Sequence, residues 1–279
     1  MYKVLILLLL MIGCTKQAPA PQEWNDWVKS RKESFSKKIS TPAAIQFLYL
    51  KKESPSFYLI KTSDSYKLSP SKFRPDDISY KLNFQNESLL NSQDEVIGTS
   101  ADPVKINERI YLKTVFMPEE NQVRMFLYDL EKKDLAKKRK RHFFEYKKEG
   151  MFEATYTKNV DVKTAKFQRS DGTTRDFNIL GILALSNGSK FSVYAEPDQI
   201  EKSVMLMFKD STNGESTYGA GRYLYVDIPT TPNKLKNGDK IMLDFNYTFN
   251  PPCAVSEGYH CPLPQDFANF KIESGEKHL

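Results

Sequence analysis

Cysteine and histidine are both scarce in this 279-residue chain, with three of each. Zinc sites usually pair ligands two to four residues apart, whereas Cys253, His260 and Cys261 would need adjacent His-Cys ligands, so no metal site is expected. No apolar run approaches the roughly 20 residues that a membrane-spanning helix needs. Positive charge is in only mild excess, 41 Lys and Arg against 35 Asp and Glu for a net charge of +6. That balance does not demand nucleic acid, and no nucleic-acid partner is expected. No internal repeat is evident. Gly219-Ala220-Gly221 is followed neither by Gly-Lys-Ser/Thr nor by a helix, so it is no phosphate loop, and no cofactor is expected.

What is present begins at the N-terminus. Lys3 supplies a positive charge, Val4 to Ile12 a short apolar run, and Met11-Ile12-Gly13-Cys14 a small-residue site ending in cysteine, the pattern of a secretory signal peptide over residues 1–13. The ending resembles a bacterial lipobox, which implies that Cys14 is diacylated and becomes the new N-terminus. Partners would then include the membrane, through that lipid. Thr15 after the cysteine points to the outer membrane, facing the periplasm, within the bacterial cell envelope. With Cys14 lipidated, Cys253 and Cys261 remain as a pair that an exporting compartment lets persist as a disulfide. A reduced Cys253 with His260 as its base is the catalytic alternative.

Residues 14–22 read as a Pro/Ala tether. Residues 23–40 read as an amphipathic helix, with Trp24, Trp27, Val28 and Phe35 near one stripe. From Ala43 the period changes to two. IQFLYL, SFYLIK, ISYKLNF, RIYLKTVF and VRMFLYDL are short, aromatic-rich and bounded by turn residues, which is strand chemistry. Asp171-Gly172, Asn187-Gly188 and Asn237-Gly238 are dipeptides that favour tight hairpins. The expected fold is mainly β: an antiparallel sandwich or partly closed barrel in two halves, residues 41–142 and 143–279, with one N-terminal amphipathic helix. Between the halves, Glu131 to His142 (EKKDLAKKRKRH) is strongly basic, either a solvated connection or an accessory contact with a membrane surface.

The unusual chemistry is concentrated between Thr217 and Lys277. Arg222 to Asp227 (RYLYVD) is largely apolar on both faces, so it reads as a strand covered on both sides. Arg222 then needs a partner, Asp244 or Glu276, unless it sits at the strand end and reaches water. Ile241, Leu243, Phe245, Tyr247 and Phe249 alternate onto a core face; Met242, Asp244, Asn246 and Thr248 form the other. That polar face either meets solvent or lines a pocket beneath the stiff Asn250-Pro251-Pro252-Cys253 loop.

TYGAGRYLYVD, LDFNYTFNPPCAVSEGYHCPLP and the terminal ESGEK resemble the C-terminal signature of the bacterial domain-of-unknown-function family 1684, and Trp27, Arg31 and RSDGTTRDFNILGILAL fit its earlier pattern. Members are often exported or lipid-anchored, which agrees with the reading of Cys14; the family implies no activity. Three functions follow as expectations. In the first, an exported lipoprotein binds a small, anionic ligand or an envelope partner in a cleft walled by Tyr218, Arg222, Asp244, Asn246 and Asn250, with the loop carrying His260 as its rim. In the second, a hydrolase or transferase uses Asp244 or Glu276 as general base, or the Cys253/His260 pair. In the third, the motif only holds together a structural envelope protein.

Overall fold

The structure is a computed structural model that describes residues 19–51, 56–71, 79–85, 87–100, 102–117, 122–168, 174–195, 203–228, 230–231 and 234–278. Cys14 and the Asp171-Gly172 turn lie outside the described residues. The chain opens with helix α1 (Gln22–Ser36). Strands β1 (Ala44–Lys51), β2 (Ser56–Lys61), β3 (Tyr66–Ser69), β4 (Ser79–Gln85), β5 (Ser88–Leu90), β6 (Val96–Thr99), β7 (Pro103–Lys105), β8 (Ile110–Met117) and β9 (Gln122–Asp129) follow. After the one-turn helix α2 (Leu135–Lys138) come β10 (Met151–Gln168), β11 (Thr174–Leu185), β12 (Lys190–Ala195), β13 (Ser203–Lys209), β14 (Arg222–Asp227), β15 (Lys240–Asp244) and β16 (Asp266–Phe267). The molecule is mainly β with one long helix at its N-terminus. That helix stops at Ser36, four residues short of the sequence expectation.

The first nine strands form two sheets, ordered β1-β9-β8-β7 and β3-β2-β4-β5-β6. Their facing sides share one core, in which Phe57, Leu59, Leu82 and Leu89 meet Ile110, Leu112, Val123, Met125 and Leu127. Alternation along β9 is strict: Val123, Met125 and Leu127 enter this core, so Arg124 and Phe126 are carried to the opposite face.

The remaining strands form a sheet ordered β14-β13-β12-β11-β10-β15, with β16 pairing parallel to β13 off that path. It curls until Tyr223 of β14 exchanges two backbone hydrogen bonds with Phe249, of 3.0 and 2.9 Å, which nearly closes a barrel. Leu183, Phe191, Leu206, Phe208, Leu224, Leu243 and Phe245 fill the interior. The outer face of β10 to β14 carries a second apolar layer of Phe167, Phe177, Met205, Met207 and Tyr223. Strand β14 is covered on its barrel face, but on the outer face only Tyr223 is buried while Tyr225 and Asp227 are exposed; the expected cover on both sides is incomplete because β14 stands at the end of the sheet order. Asn187-Gly188 makes the β11–β12 turn with Gly188 at φ +87°, and Gly238 before β15 lies at +88°.

One strand expectation fails. Alternation from Ile241 does not continue to Phe249, because β15 ends at Asp244. The Asp244 carboxylate accepts from the backbone N–H of Asn246 at 3.0 Å and turns residues 245–247 into a 3₁₀ turn. Phe245 stays in the barrel interior, whereas Phe249 emerges in the outer layer.

Gly275 (φ +74°) sits where an added Cβ would overlap the Thr248 carbonyl, while Gly214 (φ +87°) has open space around it. Gly275→Ala is expected to cost about 3 kcal/mol or more in urea denaturation, combining strain with overlap, and Gly214→Ala only about 1–2 kcal/mol.

Candidate functional site

Gly221, at φ +106°, turns the chain into β14 and delivers Arg222 to the barrel interior. The side chain is fully buried, so it does not reach water from the strand end. It pairs with neither expected acid: its Nη2 donates to Asp210 Oδ2 at 2.8 Å and to the Ile272 carbonyl at 2.6 Å, and its Nη1 donates to the Ser274 carbonyl at 2.7 Å. Burial draws the guanidinium below its ordinary range, and the Asp210 carboxylate opposes that shift. Asp210 also accepts the backbone N–H of Thr212 at 2.6 Å, so the ion pair anchors the loop before Thr217. Asp210 was not foreseen; its only trace in the sequence was its place directly after a buried strand.

Glu276 is a separate centre. Its carboxylate accepts from Arg141 Nε, from Arg31 Nη2 at 3.3 Å and from the backbone N–H of Asn250 at 2.8 Å. Asn250 Nδ2 donates to the Lys277 carbonyl at 2.8 Å. The tail is zipped onto the end of the basic run, with Phe144 N–H to Gly275 O and Lys277 N–H to His142 O, both 2.9 Å. The basic run is therefore not wholly solvated, since Arg141 ends inside the protein.

Asp244 and Asn246 form a third group. Asn246 Nδ2 donates to the Lys147 carbonyl and to Asp244 Oδ1, both at 2.7 Å, and Trp24 Nε1 of α1 donates to the Asn246 carbonyl at 3.1 Å. Burial raises the Asp244 carboxyl above the ordinary aspartate range, against the pull of Asn246. Trp27 packs edge-on between Phe143 and Tyr247 at 5.4 and 5.2 Å. The polar face of β15 thus receives the helix, and Arg222, Asp244 and Asn246 do not converge on a shared cleft.

Cys253 and Cys261 are unbonded thiols in this structure, which differs from the expected disulfide. They are nonetheless neighbours, with the Cys253 N–H 3.3 Å from Cys261 Sγ. Hydrogen bonds from Cys261 and Tyr218 draw the Cys253 thiol below its ordinary range, and burial raises the Tyr218 phenol. The loop they bracket docks on the N-terminal half: Ser256 Oγ donates to the Ala44 carbonyl at 2.6 Å, and Gly258 lies so close that a Cβ would stand 2.6 Å from Gln46 N. His260 is exposed.

That docking leaves a half-open cavity of about 560 Å³ between the two β parts. Phe47, Tyr49, Arg124 and Phe126 form one wall, from the outer face of β1 and β9; Tyr223, Tyr225 and Phe249 form the other, from the outer face of the barrel. Tyr259, His260 and Cys261 close one side. Phe47 stacks on Tyr259 at 6.0 Å and Tyr225 on Phe249 at 5.4 Å. Arg124 lies with Cζ 5.6 Å from the Tyr49 ring. Of the residues proposed from sequence, His260 and Cys261 line this cavity, and Tyr218 and Cys253 stand behind its wall. The aromatic lining was missed, although aromatics recurring every second residue in FLY and MFLY mark a strand face that is not simply solvated. Among the described residues no cluster of His, Cys, Asp and Glu is suited to a metal ion, and no helix is long and apolar enough to cross a membrane.

Fold and site define a two-part β protein with an aromatic cavity between its parts and a buried ionic latch at its C-terminus. Residues 139–277 match the family model for proteins of unknown function termed DUF1684, and the C-terminal half of the chain belongs to that family. The match begins within the basic run, so it includes Arg141 as well as the barrel. A solution structure of an uncharacterized protein from Haloarcula marismortui shares 25% identity, covering 49% of this chain and 75% of that one, at a TM-score of 0.42. No curated protein matches the chain.

Arg222→Met leaves the Asp210 carboxylate buried without its cation. The expected loss is about 3–5 kcal/mol of unfolding free energy in urea titration, partly recovered in Arg222→Met/Asp210→Asn. A loss below about 1 kcal/mol would show that the pair does not hold the barrel together.

Proposed function

We propose that the protein binds a small amphiphilic anion, with a flat or acyl apolar body, in the cavity between its two β parts. The observation that carries this reading is the lining. Eight aromatic rings surround about 560 Å³, a volume in the range of small-molecule sites, and the main cationic group on the wall is Arg124. The aromatic faces stack on the apolar body, and the guanidinium sets the orientation of the negative group. The ionic role assigned from sequence to Arg222 passes to Arg124, because Arg222 is consumed by Asp210.

The test uses anilinonaphthalene sulfonate, a planar aromatic anion that fluoresces when held in an apolar site. The wild-type protein is expected to bind it saturably at one site. Tyr225, more than half exposed, can be truncated without emptying the core, so Tyr225→Ala should fold and weaken binding by about tenfold or more. Arg124→Gln should weaken the sulfonate while sparing an uncharged naphthalene analogue. Binding unchanged in both variants would remove the cavity from consideration.

The reading includes a location: an exported protein, lipid-anchored through Cys14 at the cell envelope, with Cys253 and Cys261 oxidised to a disulfide. What supports it is the N-terminal sequence pattern together with the neighbouring thiols. Labelled palmitate is expected to enter the full chain and to be lost in Cys14→Ser, and the protein purified without reductant and then unfolded should titrate no free thiol at Cys253 or Cys261. Label retained in Cys14→Ser, or two free thiols, would contradict the anchor and the disulfide respectively.

A further inference from the structure

The Glu276 centre holds more positive charge than its carboxylate neutralises. Arg141 is 4% exposed and its side chain is entirely enclosed. Among the described residues only its Nε meets a protein acceptor, on Glu276, while Nη1 and Nη2 are buried and have no partner there. The Nε of the neighbouring Arg31 is likewise buried and unmatched. Ring contacts do not account for this. Phe35 lies under Arg141 with its centroid 4.5 Å from Cζ, and Phe249 lies 4.7 Å from Arg31 Cζ, yet a ring beneath a guanidinium accepts on its face and leaves the in-plane N–H groups unsatisfied.

The count of charge has the same sense. Arg31, Arg141 and Arg222 stand against Glu276 and Asp210, three cations to two anions; Arg31 keeps 20% of its side-chain surface, the other four are enclosed, and each lies within electrostatic range of another member of the set. Arg31 is depressed by burial and further by the nearby Arg141 charge, opposed by Glu276. Water can satisfy donors but cannot neutralise a cation in a low-dielectric interior.

We infer that the Nη1/Nη2 edge of Arg141, together with Arg31 Nε, is the binding site of a small monovalent anion of chloride or bromide size. The anion supplies the acceptor that Arg141 lacks and offsets the charge of the three guanidiniums against two carboxylates. It sits where α1, the end of the basic run and the C-terminal tail meet, so binding cements those three segments together. Phe249 separates it from the aromatic cavity, whose ligand it does not require.

The full chain is tested by thermal unfolding in sodium chloride, bromide and gluconate at equal ionic strength, gluconate being too large to enter. Chloride and bromide are expected to raise the unfolding midpoint by about 2–4 °C along a saturating curve, and gluconate is not. Arg31→Met keeps the Arg141–Glu276 pair and should fold while losing most of the halide dependence. If Arg141→Met also folds, it should lose all of it. Crystals soaked in bromide should show an anomalous peak within hydrogen-bond reach of Arg141 Nη1 and Nη2. Equal midpoints in all three salts, a halide effect retained in Arg31→Met, or density at Arg141 that is ordered water only would each overturn the assignment.

Discussion

The interaction on which the rest depends is the burial of Glu276. A carboxylate with no exposed surface is tolerated only because two guanidiniums and a backbone N–H surround it, and each comes from a different part of the chain. Arg31 belongs to the N-terminal helix, Arg141 to the end of the basic run, and Asn250 to the turn after β15. One acidic side chain near the C-terminus thus makes these three segments mutually dependent. Removing Arg141 would leave Glu276 with only the partly exposed Arg31 as its cation, a cost larger than that of losing most single apolar contacts.

The same constraint positions the cavity. With α1 seated by Trp24 on the Asn246 carbonyl and by Arg31 on Glu276, the chain emerging from the helix enters β1 beside the cysteine loop. Strands β1 and β9 then turn their outer faces toward the outer face of the barrel. Both faces are aromatic, and the cysteine loop, propped against Ala44 and Gln46, keeps the sheets from closing onto each other. The space between them lies where these two faces and the cysteine loop meet. The Tyr259 phenol, pushed up to about 12 by burial, stays neutral in that wall across ordinary pH and adds aromatic surface without charge.

Many motif residues turn out to serve assembly. Arg222 with Asp210 holds the loop into β14, Asp244 with Asn246 ends β15 and receives the helix, and Asn250 ties down the tail. Each is a polar group inside an otherwise apolar fold, satisfied by one definite set of partners. Such groups select a single arrangement more strongly than apolar packing does, because misplacing one leaves a desolvated donor or charge. Of the two thiols near Tyr218, Cys261 stands at the cavity wall, where a change in its bonding would be felt by whatever occupies it.

The sequence by itself determined the mainly-β class, the N-terminal helix, the turns at Asn187-Gly188 and Asn237-Gly238, and the concentration of special chemistry after Thr217. All of these follow from local rules: hydrophobic period, turn residues at positive φ, and composition over a few positions. Which charges meet was decided only in the tertiary structure. Arg31 and Glu276 are 245 positions apart and Arg141 and Glu276 are 135 apart, and no local pattern encodes such distances. Asp244 was the nearer acid to Arg222 by strand logic, yet its carboxylate was taken by the turn it caps, and Asp210 filled the place. The cavity was hidden for the same reason. Alternation along a strand tells which residues share a face, but what that face meets depends on how separate sheets are docked.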